Sequence, residues 1–237
     1  MPHSCHSALL SRLSWLDHAF MSAGERPPEA TLYNQQRHSA RVISDVEARP
    51  VKSQEADGLI GTGSTPVAIY TADCLPVLIA DTRQRQVAAV HGGLKGILSG
   101  VMGNAIAQLF VRGATPDSLF IAIGPAIGPC CYELGQDVIA RAQQDDPHHL
   151  AELMSWSATP FRNPSAVRPQ AQGTTGGIWF DLPLLAKRIA LRAGVPESQI
   201  ELSQVCTYCM AEEQASYRRN SHFQQGYQQR FSWIAKR

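Results

Sequence analysis

Tyr70-Thr71-Ala72-Asp73-Cys74-Leu75-Pro76 lies between two short apolar runs, residues 67–70 before it and 77–80 after it. Runs of about four apolar, partly β-branched residues suit strands of a buried sheet. Pro76 breaks the strand pattern, and one cysteine and one acid sit at the break. A third apolar run, residues 87–90, ends at His91, seventeen positions after Cys74. Two strand ends can therefore present Cys74 and His91 to one pocket. His91 opens a glycine-rich segment, His91-Gly92-Gly93-Leu94-Lys95-Gly96, and His38 lies upstream in Gln36-Arg37-His38-Ser39-Ala40.

Outward from this centre, strands and helices interleave. Residues 16–20 and 41–46 read as strands, and 50–58 as a polar loop. Ile97, Val101, Ala105 and Leu109 recur every four residues, with Leu98 and Met102 beside them, so one amphipathic helix is expected over 97–112 and Gly113 stops it. Residues 119–123 form the next strand. Gly124-Pro125-Ala126-Ile127-Gly128-Pro129-Cys130-Cys131 is a stiff loop, because its prolines fix φ and its glycines permit close backbone approach. A helix follows over 137–144, then an irregular stretch from 147 to 177. Phe180-Asp181-Leu182-Pro183 begins a helix ended by Gly194-Val195-Pro196. Residues 200–205 form the last main strand and deliver Cys206-Thr207-Tyr208-Cys209. The interleaving implies an α/β fold with mixed sheets flanked by helices. A single domain over 1–237 is expected, with 1–15 and 224–237 peripheral.

The chain has 237 residues, 44% of them hydrophobic and 17% charged, and a formal charge of +1. That balance fits a globular domain and offers no global attraction to nucleic acid or an anionic membrane. No stretch approaches the roughly 18 apolar residues of a membrane span. The start, which holds His3 and His6, lacks the pattern of a secretory signal, so a cytoplasmic location is expected. The six cysteines are then expected as reduced thiols.

Three chemistries fit the central residues. Imidazole and thiolate are zinc ligands, so His38, Cys74 and His91 can hold zinc with an open fourth position. Alternatively, Cys74 is a nucleophile, His91 its base and Asp73 an orienting acid. In the third reading Cys74 is a small buried hydrophobe and the histidines cap loops. The turn at Gly92, Gly93 and Lys95 suits an anion, or it is only a tight entry into a helix. Arg218 and Arg219 can clamp a phosphate or carboxylate, or be solvated. Cys206-x-x-Cys209 reads as a redox pair, as half of a zinc knuckle with Cys130-Cys131 contributing in space, or as unlinked thiols.

The combination of ADCLP at 72–76, AVHGG at 89–93 and IGPAIGPCCYE at 123–133 resembles the YfiH-like family, also called the laccase-domain or polyphenol oxidase family. Asp57-Gly58-Leu59-Ile60, Gln36 to Val42, Asp181-Leu182, Cys206-Thr207 and Tyr217-Arg218-Arg219 extend the resemblance. It implies the YfiH-like fold, a zinc site of His38, Cys74 and His91, and purine nucleoside chemistry: phosphorolysis of adenosine or inosine, with adenosine deamination. A role in editing cell-wall precursors is also associated with bacterial members. Nucleoside and phosphate are the implied partners, and the protein is expected as a monomer or weak homodimer. Asp73, Gly92, Gly93, Lys95, Cys131 and Arg218 are expected to line the pocket, with Cys131 in a wall near the metal. Copper is disfavoured, since eight histidines are too few for several histidine-rich copper centres.

The chain departs from the family in three places. The usual HAGWRG reads His91-Gly92-Gly93-Leu94-Lys95-Gly96, exchanging a stacking ring for leucine and a planar guanidinium fork for lysine. The early TRxGGVS-type segment is absent before Gln35, with Arg26 or Lys95 the remaining cations to meet an anion. Asn220-Ser221-His222-Phe223 replaces the usual ending.

Overall fold

The computed structural model describes residues 5–174 and 176–237. Along it run β1 (Leu16–Phe20), β2 (Val42–Ser44), β3 (Gly58–Gly61), β4 (Val67–Thr71), β5 (Leu75–Asp81) and β6 (Gln86–Gly92). Then come α1 (Leu94–Leu98), α2 (Val101–Val111), β7 (Leu119–Ile123), β8 (Glu133–Leu134), α3 (Gln136–Gln144) and β9 (Trp156–Ser157). The chain continues through β10 (Ile178–Phe180), α4 (Leu182–Arg192), β11 (Ile200–Leu202), α5 (Tyr217–Phe223) and β12 (Arg230–Lys236).

Strand β5 is the axis of the molecule. It lies inside a six-stranded mixed sheet ordered β11-β7-β5-β6-β3-β2, and all seven of its residues are buried. Leu75, Val77 and Ile79 face the layer that holds α2 and α4. Leu78 and Ala80 face a second sheet, β1-β12-β4, through Val67, Ile69 and Ile234. Because both faces are covered, the strand reads as a continuous apolar run rather than an alternating one. The same division sends Ala88 and Val90 of β6 to the helices, and Val87 and Ala89 to the second sheet. The result is a single mixed α/β domain of three layers, with a small sheet β8-β10-β9 at one end. Among the described residues no helix is long and apolar enough to cross a membrane.

Four local expectations change. Pro76 does not break the strand: it is the second residue of β5, and its carbonyl accepts the amide of Gly124 at 2.9 Å. The single helix expected over 97–112 is two, because Gly100 adopts φ +92 between α1 and α2. The left-handed backbone at Gly100 is free of steric cost only for glycine. The strand expected over 200–205 covers Ile200–Leu202 alone. The largest correction concerns the ends. Residues 224–237 are not peripheral: β12 is the middle strand of the second sheet, pairing Ile234 with His18 and with Val67. Phe231, Trp233 and Ala235 recur at every second position there, with Ile234 on the opposite face, a period-two pattern in a tail whose largely polar stretch from 221 to 229 concealed it. Residues 5–15 also reach the core, with Leu10 wholly buried. The part of the expected peripheral start in residues 1–4, including His3, lies outside the described residues.

His18 illustrates what this edge costs at acid pH. It is 4% exposed, and its Nε2 accepts the Ser7 amide at 2.9 Å. Burial, aided by the neighbouring His6, lowers its pKa from 6.5 to about 4. The folded state holds the neutral ring, so this group's stabilisation is complete above pH 6.5 and is lost progressively as pH falls toward 4. The slope is about 1.4 kcal/mol per pH unit in that window. Urea titrations at pH 7 and pH 5 are expected to differ by about 2 kcal/mol from this source, and His18→Gln is expected to flatten the difference.

Candidate metal centre

The register of β5 against β6 builds the first half of the site. Pro76 pairs with His91 and Leu75 with Gly92, so Cys74, just ahead of β5, stands beside the end of β6. His38 arrives from the loop before β2. Asn104 and Gln108 of α2 hold that loop by donating to the Ala40 and Val42 carbonyls at 2.9 and 3.0 Å. The ligand atoms of His38, Cys74 and His91 all lie within 4.8 Å of one another. His38 Nε2 is 3.6 Å from Cys74 Sγ, and the two imidazole rings meet edge to face at 4.8 Å. His91 is buried, Cys74 half-buried and His38 exposed, so the group opens to solvent on the His38 side.

Asp57 organises this group, and the sequence did not mark it as a site residue. Wholly buried at the start of β3, its Oδ1 accepts His91 Nδ1 at 2.7 Å and the His38 amide at 2.9 Å. Its Oδ2 accepts the amides of Arg37 and Ser39 and the Ser39 hydroxyl at 2.6 Å. Three consecutive amides thus wrap one carboxylate, which holds His38 at φ +57 against the usual cost of a left-handed residue. Burial alone pushes the Asp57 carboxyl up. The bonds from His91, Ser39 and Arg37 outweigh it and hold the group well below the usual carboxylate range. With Nδ1–H donated to Asp57, His91 keeps the Nε2 lone pair for a ligand, a carboxylate–histidine arrangement common around metals. The signal available in sequence was its place in Asp57-Gly58-Leu59-Ile60, a segment that extends the family resemblance without marking a role for the acid.

The donor set fits a metal cation. Partial desolvation of its otherwise exposed ring, with the neighbouring His91, lowers the His38 pKa, which favours the neutral ring a metal needs. Burial, with the negative charges of Asp73 and Asp57, pushes the Cys74 thiol up to about 12. A free Cys74 is therefore a poor nucleophile near neutral pH, whereas a dication beside it reverses the balance and deprotonates the thiol.

The remaining predicted residues divide. Asp73, at φ +89, is 8% exposed and points away from the cluster. It accepts the Thr207 hydroxyl at 2.5 Å, the Ser216 hydroxyl at 2.9 Å and the Arg218 amide at 2.6 Å. Burial raises its pKa against these bonds. Its carboxylate is an anchor for residues 207–218 rather than a base facing the pocket. That anchor seats Arg218, which donates to the Glu133 carbonyl at 2.7 Å and lies 5.4 Å from the Tyr132 ring centre. Tyr132 was missed as a site residue although it stands in the quoted CCYE stretch. Burial raises its hydroxyl pKa, and the Arg218 guanidinium over its ring works against that rise.

Cys131 does not line the wall beside Cys74. It is wholly buried, with its sulfur 3.2 Å from that of Cys209. Lys95 is exposed on α1, close enough for its charge to lower the His38 pKa. Arg26 lines a different cavity, together with Lys52, Tyr33 and Tyr227.

The glycines answer to the His38 loop. A Cβ on Gly93 would stand 2.3 Å from His38 Cδ2 and 3.2 Å from Cys74 Sγ, and one on Gly96 3.3 Å from the Ser39 carbonyl. A Cβ on Gly92 would press on Leu75 and Ile97. Gly93→Ala is expected to turn the exposed His38 ring out of the cluster while the fold persists. Metal affinity should fall about 10- to 100-fold, with little change in the unfolding midpoint; competition with a chelator and thermal denaturation measure the two.

Fold and site together define a mixed α/β domain with a candidate metal centre where two central strands end. The chain belongs to the YfiH-like family: the family described as multi-copper polyphenol oxidoreductase laccase matches residues 17–235. Among named relatives, a purine nucleoside phosphorylase of Xylella fastidiosa (strain 9a5c) is 34% identical over 155 residues, 65% of this chain and 52% of that protein. Adenosine deaminase RL5, from an unknown prokaryotic organism, is 27% identical over 183 residues, 73% of this chain and 64% of its own. The matched stretches thus span between half and two thirds of these relatives. Among solved structures, Geobacillus stearothermophilus YlmD superimposes with TM-score 0.72 at 20% identity, covering 100% of this chain and 96% of that one. Neisseria meningitidis NMB0706 gives TM-score 0.72 at 24% identity, with 99% and 98% covered. These likenesses establish the YfiH-like fold. Despite the family description, the metal-capable clusters among the described residues are His38-Cys74-His91 and a group of four cysteines; neither is a set of histidine-rich copper centres.

Proposed function

We propose that this protein is a zinc-dependent purine nucleoside enzyme whose centre is His38, Cys74 and His91, acting by phosphorolysis of adenosine or inosine with adenosine deamination as a companion activity. The observation that carries the reading is the convergence of two imidazoles and one thiol, oriented by the buried Asp57 and open on one side. Relatives named as a purine nucleoside phosphorylase and an adenosine deaminase support the substrate class. Zinc in that position supplies a Lewis acid that polarises a substrate oxygen or a leaving base.

The chain's own residues do the rest. Asp57 fixes His91 and the His38 loop. Gly93 leaves the space that lets His38 and Cys74 approach each other. Lys95 and Arg218 are the cations assigned to phosphate, and the Tyr132 ring is assigned to the pocket wall. In phosphorolysis a phosphate oxygen bonds to C1′ as the C1′–purine bond breaks, and the base leaves with a proton. Free-cysteine hydrolysis at Cys74 is disfavoured, because a thiol pushed up to about 12 supplies little thiolate.

The test is a metal-quantified assay of adenosine and inosine, with and without phosphate, resolved by product. Ribose 1-phosphate with free purine is the expected result, and inosine with ammonia from adenosine reports deamination. Neither product from zinc-loaded protein would overturn the enzyme reading and leave a metal-retaining nucleoside or anion binder.

A further inference from the structure

A second cluster of sulfur lies apart from that centre and belongs to no step of the proposed reaction. Cys130, Cys131, Cys206 and Cys209 are all buried, and their sulfurs lie within 4.8 Å of one another. We propose that these four cysteines bind a structural zinc ion as a closed tetrathiolate site.

The geometry suits a metal better than sulfur–sulfur bonds. Zinc–sulfur bonds of about 2.3 Å in a tetrahedron set the sulfurs about 3.8 Å apart. Cys209 Sγ lies 3.9 Å from that of Cys130 and 3.2 Å from that of Cys131. One sulfur thus approaches two others at comparable range, whereas a disulfide joins a single pair at about 2.05 Å. The cysteines come as a neighbouring pair on a proline-stiffened loop and as Cys206-x-x-Cys209, whose Cys209 amide donates to the Cys206 carbonyl at 3.0 Å.

The surroundings are those of sulfur anions. The Gly128 amide donates to Cys206 Sγ at 3.3 Å, the Ala171 amide to Cys131 Sγ at 3.4 Å, and the Asn163 side-chain amide to Cys130 Sγ at 3.7 Å. Donors aimed at metal-bound sulfur stabilise its charge and fix its orientation. Binding releases four thiol protons to solvent and leaves a net charge of about −2 on the site. Two arginines stand ready for that charge. Arg168 Nη2 donates to the Thr207 carbonyl at 3.2 Å, and the Arg219 guanidinium lies 5.2 Å from the Tyr208 ring centre, so both meet the turn between Cys206 and Cys209. The buried Nε of Arg168, and Nε and Nη1 of Arg219, have no hydrogen-bond partner among the described residues. Two guanidinium groups held on one turn are better accommodated beside a dianionic cluster than beside four neutral thiols.

The site joins three irregular stretches, two of which also meet at a β-bridge between Ala126 and Cys206. The 124–133 loop carries Tyr132. The irregular stretch 160–171 is tied in through Asn163 and Ala171, and through the Val167 and Arg168 amides, which donate to the Cys209 carbonyl at 3.0 and 3.1 Å. Residues 206–209 lead through Thr207 to Asp73 and on to Arg218. An ion there ties together the stretches that meet Asp73, through the Ile127 amide on its carbonyl and the Thr207 hydroxyl and Arg218 amide on its carboxylate.

The test is metal analysis of the full chain, expressed with zinc and purified under reducing conditions without chelator. Wild type is expected to hold two zinc ions per chain. Cys74→Ala is expected to keep one, and cobalt exchanged into that variant should show the strong charge-transfer and d–d absorption of a tetrahedral all-thiolate ion. Adding Cys206→Ser and Cys209→Ser to Cys74→Ala should remove it. If the triple variant fails to fold, the cobalt spectrum of Cys74→Ala decides alone. A metal-free Cys74→Ala, a cobalt spectrum lacking all-thiolate character, or a disulfide among these four cysteines in the reduced preparation would overturn the proposal. Each readout leaves the His38-Cys74-His91 centre to be judged separately.

Discussion

Cys74→Ala is expected to abolish metal binding at the His38-Cys74-His91 centre and to lower nucleoside turnover about 100-fold or more. The substitution removes the one anionic ligand of the set and leaves two imidazoles, one of them exposed. The fold should tolerate it, because Cys74 stands just before β5 and is only half-buried, so little packing is lost. Activity and that centre's metal should therefore disappear together, with the unfolding midpoint of the metal-free proteins nearly unchanged. Substoichiometric zinc with turnover falling in proportion would agree. Full occupancy of the centre in Cys74→Ala would exclude the thiol as a ligand.

Asp57→Asn is expected to have the second large effect, and a broader one. Both carboxylate oxygens accept, Oδ1 from His91 and His38, Oδ2 from Arg37 and Ser39. An amide turns one of those oxygens into a donor facing donors, whichever way it is placed. Breaking a buried charged network of this kind costs about 3–5 kcal/mol, and losing the partner of a ligating histidine costs about 10- to 100-fold in metal affinity. Denaturant unfolding and chelator competition should both register the change. A variant with normal stability and weakened metal binding would confine Asp57 to orienting the ligands; normal behaviour in both would contradict the role given to it.

The parts of the fold legible in sequence were those where burial writes a pattern. Strands β5 and β6 are buried on both faces and read as unbroken apolar runs, and α2 shows its buried stripe at Val101, Met102, Ala105 and Leu109. From those runs it followed that Cys74 and His91 stand at neighbouring strand ends, and the Pro76–His91 pairing has that form. The break at Gly100 was hidden because the apolar spacing continues across it. Strand β12 was hidden because a polar stretch precedes it, and its value appears only when β1 and β4 close on either side.

The site was legible by residue type and obscure by orientation. His38, Cys74 and His91 are metal-ligand types, but no spacing announces that they meet. Asp73 beside Cys74 invited a catalytic role, yet at φ +89 its carboxylate turns to Thr207, Ser216 and the Arg218 amide. Asp57 stood in a segment that extends the resemblance, but nothing there announced its role, since its work is to bind the backbone amides of residues 37–39. The glycines at 92, 93 and 96 suggested an anion cradle. Their nearest neighbours are instead Leu75, Ile97, His38, Cys74 and the Ser39 carbonyl, so the room they leave is taken by the ligands and their loop.

Anomalous X-ray diffraction at the zinc edge, on crystals of the zinc-loaded protein, tests the central claim most directly. The expected result is a peak about 2.0–2.3 Å from a nitrogen of His38, a nitrogen of His91 and the Cys74 sulfur. No peak between these three residues in zinc-loaded crystals, or a peak that excludes the Cys74 sulfur, would contradict the account.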